Sequence, residues 1–91
     1  GPTNVFYLDD DLYIMQRGGY GNQPGLVYVL NNRGDRWNGQ WANTQWRNVE
    51  LVPVAWWSKA DMAQPIAQRT DVDGRTQLFA GPRGYAVYVI K

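Results

Sequence analysis

The sequence predicts a small all-β fold, an antiparallel β-sandwich or Greek-key barrel of six to eight short strands. Three observations carry that prediction. Apolar, β-branched and aromatic residues recur in runs of strand length. Gly-, Pro- and Asn-rich turn signals interrupt them at roughly ten-residue spacing, and no stretch sustains a long helical period.

The first two strands are expected at Asp11–Arg17 and Gly25–Asn32, both rich in β-branched and aromatic residues. Between them, residues 18–25 carry four Gly and one Pro, a composition that reads as a loop and makes the two strands a hairpin. In Gly25–Leu30 both parities are apolar, which predicts a strand covered on both faces in the middle of a sandwich. A turn follows at 31–35, with Gly34 free to take positive φ. Trp37–Trp41 reads as irregular strand broken by polar residues. Asn48–Trp57 reads as another strand, and its Pro53 predicts a sheet edge or a bulge. Ser58–Thr70 has some helical flavour, but Pro65 and its short length predict a loop with at most one turn. Turns at Asp71–Arg75 and Gly81–Gly84 frame short strands at Thr76–Ala80 and Tyr85–Ile90, the last apolar on both faces.

Length and composition bound the rest. A chain of 91 residues is one domain with a thin core, here residues 3–91, and Gly1-Pro2 reads as a tag remnant. Nine basic and eight acidic residues are spread along the chain with no basic cluster, so no nucleic-acid partner is expected. No long apolar run predicts a membrane span, and the piece reads as soluble. Cysteine and histidine are both absent. Disulfides, thiolate metal sites, Ser/His/Asp and Cys/His nucleophiles and ordinary zinc sites are therefore excluded, and no cofactor is expected.

The remaining chemistry rests on carboxylates and aromatics. Asp9-Asp10-Asp11 fits either a calcium site or a solvated turn, and the turn is preferred because adjacent acids on a strand face opposite sides. Asp71-Val72-Asp73-Gly74 resembles part of a calcium loop but lacks the closing Glu. Glu50 is the sole Glu, and no spacing singles out a carboxylate pair for glycoside hydrolysis, so no catalytic residue is assigned. Five Trp form the sharpest feature: Trp37, Trp41, Trp46, Trp56 and Trp57 sit among Asn38, Gln40, Asn43, Gln45 and Asn48. Indole rings stack on the apolar faces of sugars while amides bond the hydroxyls, but a small sandwich also uses Trp to fill volume. Two of the five are expected in the core. On a strand, adjacent Trp56 and Trp57 would point to opposite faces.

Three segments carry a family resemblance: Asp9–Arg17, Pro24–Gly34 and the closing Gly81-Pro82-Arg83-Gly84-Tyr85-Ala86-Val87-Tyr88-Val89. With Asp35–Trp41 and Pro53–Trp57 between them, the chain resembles domain C, the C-terminal β-domain that follows the (β/α)8 catalytic barrel of bacterial alpha-amylases. The family carries Pro at the position of Gly81, a departure that touches turn rigidity. The resemblance implies a small antiparallel Greek-key β-sandwich of about eight strands, in a starch-degrading enzyme secreted as a whole. It places the catalytic carboxylates and the structural calcium outside this chain. The implied partner is the catalytic barrel, with α-glucan as a second. A homodimer of the excised piece is a third expectation, because excision frees strand edges and a hydrophobic patch.

Overall fold

The computed structural model describes residues 3–18, 25–44, 46–59 and 63–91. Every regular element among them is a β-strand: β1 (Thr3–Leu8), β2 (Leu12–Gly18), β3 (Gly25–Asn31), β4 (Asn38–Asn43), β5 (Glu50–Trp57), β6 (Gln68–Arg69), β7 (Arg75–Ala80) and β8 (Tyr85–Ile90). Seven have six to eight residues, and β6 has two. All pair antiparallel. A larger, curled sheet runs β1-β2-β3-β8-β5, extended by the short β6, and β4-β7 form a two-stranded sheet.

The core lies between these layers. Leu12 and Ile14 of β2, Val27 and Val29 of β3, Leu51 of β5, and Ala86 and Tyr88 of β8 face inward from the larger sheet. Ala42 of β4 with Leu78 and Ala80 of β7 close over them. Side chains alternate across a pleated strand, so one parity of each strand is buried. Each Leu, Ile or Val buried here contributes about 1.5–3 kcal/mol.

Tyr88 is the largest fully buried side chain, and its hydroxyl donates to the Phe79 carbonyl at 2.9 Å, joining the two layers. Burial raises the phenol above its ordinary value of 10.0. The folded state therefore favours the neutral phenol, and its contribution is complete below pH 10 and lost as pH rises beyond it. An alkaline titration of stability should show a loss that disappears in Tyr88→Phe. If the two proteins lose stability in parallel, Tyr88 is not the responsible group.

Two polar hubs shape the ends of the strands. Asn31, 1% exposed, donates through Nδ2 to the carbonyls of Arg36, Ala80 and Gly81 at 3.0, 3.3 and 3.1 Å, and its Oδ1 accepts from the Arg33 amide at 2.9 Å. The Gly81–Gly84 turn receives Lys59 N–H (3.1 Å) and Ser58 Oγ (2.6 Å) on the Pro82 carbonyl, while its Arg83 amide donates to the Arg33 carbonyl at 2.7 Å. That turn ties the ends of β3, β5 and β7 to the start of β8.

Several expectations are refined by the pairing. β1 lies ahead of the first expected strand. The segment read as irregular strand at Trp37–Trp41 is, from Asn38 onward, part of a regular pairing: Asn38 to Asn43 meet Ala80 to Arg75 without a break. Its polar composition hid it, because one face of β4 is open to solvent. Pro53 pairs with Tyr88 on β8, while β6 reaches only to Leu51 on the other side. The register slips between Pro53 and Ala55, so the proline sits at a bulge on a locally free edge. Gly34 does not take positive φ; Gly25, Gly74, Asn48 and Arg83 do. Gly34 instead lies against Arg83, whose Nε would be 2.9 Å from an added Cβ. Residues 63–67 carry no regular structure, and residues 19–24 of the expected loop and 60–62 lie outside the described residues.

Candidate binding faces

The five Trp do not form one site. Trp46 and Trp56 pack against the core, as expected for two of them. Trp56 pairs with inward-facing Ala86, and its neighbour Trp57 pairs with Tyr85 on the opposite face, 46% exposed. Trp41 stands on the outward side of β4, 57% exposed, beside Asp71 and Arg75. Trp37 is half-buried just before β4, against Phe79 and residues 63–68.

The outward face of the larger sheet is the more extensive feature. Cross-strand pairing lines up two apolar ladders across β1-β2-β3-β8-β5. One runs Leu8, Tyr13, Leu30, Tyr85, Trp57; the next runs Val5, Met15, Tyr28, Val87, Ala55. Tyr28 and Tyr85 stack at 6.0 Å between ring centroids with planes 15° apart. At about 4.8 Å between strands and two to three rungs along them, the patch covers on the order of 400 Å². That is as large as the largest apolar patch on an ordinary monomer.

The double apolar parity of Gly25–Leu30 thus has a different basis from the one expected. Its inner parity meets the small sheet, but among the described residues no element covers its outer parity. Leu26, Tyr28 and Leu30 remain half-buried, shielded by one another and by neighbouring strands. The signal for this face was present in the sequence as strands apolar on both sides. Its members are scattered along the chain, because strand order and register decide which outward residues become neighbours.

The acidic clusters are turn formers. Asp9 Oδ1 accepts from the amides of Asp11 and Leu12, both at 2.7 Å, closing the β1–β2 turn. Asp71 Oδ1 accepts from the Arg75 amide at 2.9 Å and the Asp73 amide at 2.8 Å. These backbone donors, the Arg75 amide first, hold its carboxyl below the ordinary range. Arg33 grips Asp35 through Nε and Nη2 at 2.9 and 2.8 Å, which lowers Asp35 to about 2 and raises Arg33. Both groups are exposed, so this pair adds little to stability. Among the described residues, no group of three or more Asp or Glu is placed to hold a metal ion.

A groove of about 420 Å³ lies between Trp37, Phe79 and the 63–68 segment. Phe79 belongs to the outward parity of β7, so this groove opens away from the core and from the ladder face. No family model matches the chain, and no curated protein matches it at a significant level.

Proposed function

We propose that this chain is a non-catalytic C-terminal β-domain, domain C, of a starch-degrading bacterial alpha-amylase, and that it stabilises the catalytic (β/α)8 barrel by packing against it. The observation that carries the reading is the pair of apolar ladders on the outward face of the larger sheet. A face of five strands with tyrosines, leucine, methionine and valine in register is built to be covered by another folded surface. Interfaces between domains of one chain bury about 600–1,500 Å², and this patch accounts for a large part of the lower figure.

The segments that resemble the amylase domain support it. Asp9–Arg17, Pro24–Gly34 and Gly81–Val89 cover all of β3 and all but the last residue of β2 and of β8, which are adjacent in the sheet and form the middle of that face. The Greek-key sandwich is the finer reading of the topology: the chain crosses from β3 to β4 in the second layer, returns as β5, and β8 inserts between β3 and β5. On this reading the parent enzyme works outside the cell, and the catalytic groups belong to the barrel.

Leu8→Lys and Trp57→Lys test it, because both residues are exposed in the free domain. The isolated domain should keep its stability within about 0.5 kcal/mol, whereas the barrel–domain unit should lose about 2 kcal/mol. Equal effects in both settings would sink the docking reading. If the isolated chain dimerises through this face, light scattering will show a mass that rises with concentration, and the same two substitutions will abolish it.

A further inference from the structure

We infer that the outward face of the small sheet binds a proline-rich peptide in the polyproline II conformation, with a basic residue at one end of the peptide. This goes beyond the docking reading and does not depend on it, because the face lies across the core from the apolar ladders. Gly39 and Trp41 of β4 share that face with Phe79, Gln77 and Arg75 of β7, through the pairs Gly39–Phe79, Trp41–Gln77 and Asn43–Arg75. Gly39 stands between Trp37 and Trp41, and an added Cβ there would collide with the Phe79 ring, so the ring lies across the glycine. Three aromatic side chains therefore follow one another along the sheet. Two hollows open on this row. The first, of about 420 Å³, lies between Trp37, Phe79 and the 63–68 segment. The second, of about 320 Å³, is lined by Trp41, Asp71 and Arg75.

Shape and charge select the occupant. Trp37 and Trp41 are separated by about 13 Å on an extended chain, the span of about four residues of polyproline II. Proline rings fill furrows between aromatic side chains, and a backbone already in its bound shape loses little freedom on docking. Polyproline II leaves its carbonyls unpaired, and the exposed side-chain amides of Gln64 and Gln77 stand along the row to donate to them. Charge sets the direction. At the Trp41 end, the carboxylates of Asp71 and Asp73 meet the one guanidinium of Arg75 at 3.5 and 3.7 Å, against 2.8 Å for Arg33 on Asp35. Nearby Arg69 donates to the Asn48 carbonyl at 3.1 Å instead. Carboxylates outnumber the guanidinium in this loose trio. A second cation, from the peptide, can lie on the exposed Trp41 ring and face them.

Titrating the 91-residue chain with a synthetic peptide of prolines and leucines ending in arginine, followed by indole and side-chain amide NMR signals, tests this. Saturable shifts are expected at the Trp37 and Trp41 indole N–H and at the Gln64 amide. A copy of the peptide ending in glutamate should bind about threefold more weakly at low salt, and high salt should erase the difference. Trp41→Ala, at an exposed position, should weaken binding about tenfold. Asp73→Asn keeps the turn's backbone hydrogen bonds and should narrow the gap between the two peptides. The inference is overturned if both indoles stay still at millimolar peptide, if the two peptides bind equally at low salt, or if Trp41→Ala binds as before. Shifts confined to Trp57 and Tyr85, or shifts of the Trp37 and Trp41 signals with maltoheptaose but not with peptide, would equally sink it. Leu8→Lys and Trp57→Lys should leave the titration unchanged, so this face and the docking face fail separately.

Discussion

Substituting Asn31 by leucine is expected to lower the unfolding free energy by about 4 kcal/mol, most of what a domain of this size has to lose. The side chain is almost fully buried and spends both its donor group and its acceptor oxygen on the backbone. Leucine fills the volume but withdraws a partner from three carbonyls and one amide at once. Depriving a buried polar group of its partner costs about 1–3 kcal/mol, more than the net gain from making the bond. Urea denaturation of the two proteins measures the difference. A loss below about 1 kcal/mol would show that water replaces the amide and that Asn31 is no hub.

The near-isosteric Asn31→Asp separates hydrogen bonding from packing. An ionised carboxylate oxygen would face the carbonyls of Arg36, Ala80 and Gly81 where an N–H₂ now donates. The folded state must then keep the carboxyl protonated, which raises its pKa above the unfolded value. Stability should be best preserved below about pH 4 and fall as pH rises above it. A variant equally stable on both sides of that range would contradict the assigned geometry.

Gly84→Ala is the second large effect. A Cβ at this position would collide with the Trp57 carbonyl oxygen, and would lie 2.8 Å from Ser58 Cα and 3.0 Å from the Trp57 carbonyl carbon. Every atom it meets is backbone, so no rotamer change can make room. The end of β5 must move away from the start of β8, straining the bonds from Lys59 and Ser58 to Pro82 and from Asn31 N–H to the Gly84 carbonyl. A cost of about 3 kcal/mol is expected for such overpacking. In a domain of this length that corresponds to a fall in Tm of about 15 °C. Gly34→Ala is the control: its nearest neighbour is the flexible end of Arg83, which can swing aside, so the loss should be far smaller. Similar losses at both positions would refute the account of the turn.

Local chemistry made much of the fold legible. The β2–β3 hairpin, the turns at Asp71–Arg75 and Gly81–Gly84, and the strands on either side of them follow from alternation and turn residues. Pro53 announced its own bulge. The split of Trp56 and Trp57 between core and surface followed from strand geometry alone. What was not legible depended on partners distant in the chain. β4 reads as broken because Asn38, Gly39 and Gln40 have poor strand propensity, yet six rungs with β7 hold it. Gly39 becomes intelligible only once Phe79 is seen lying across it.

The sequence by itself determined the class of the protein: an all-β domain, without histidine or cysteine, with apolar parity on both sides of its central strands. Composition and alternation are local properties, and they survive whatever the topology. Only the tertiary structure decided which surfaces those residues make. Pairing β3 with β8, 55 to 61 positions along the chain, put Tyr28 beside Val87 and Leu30 beside Tyr85, and so turned scattered apolar residues into a continuous face. Other long-range pairings, β4 with β7 and β5 with β8, sent Trp41, Trp56 and Trp57 to separate places, because register, a relation between distant segments, assigns each side chain its neighbours.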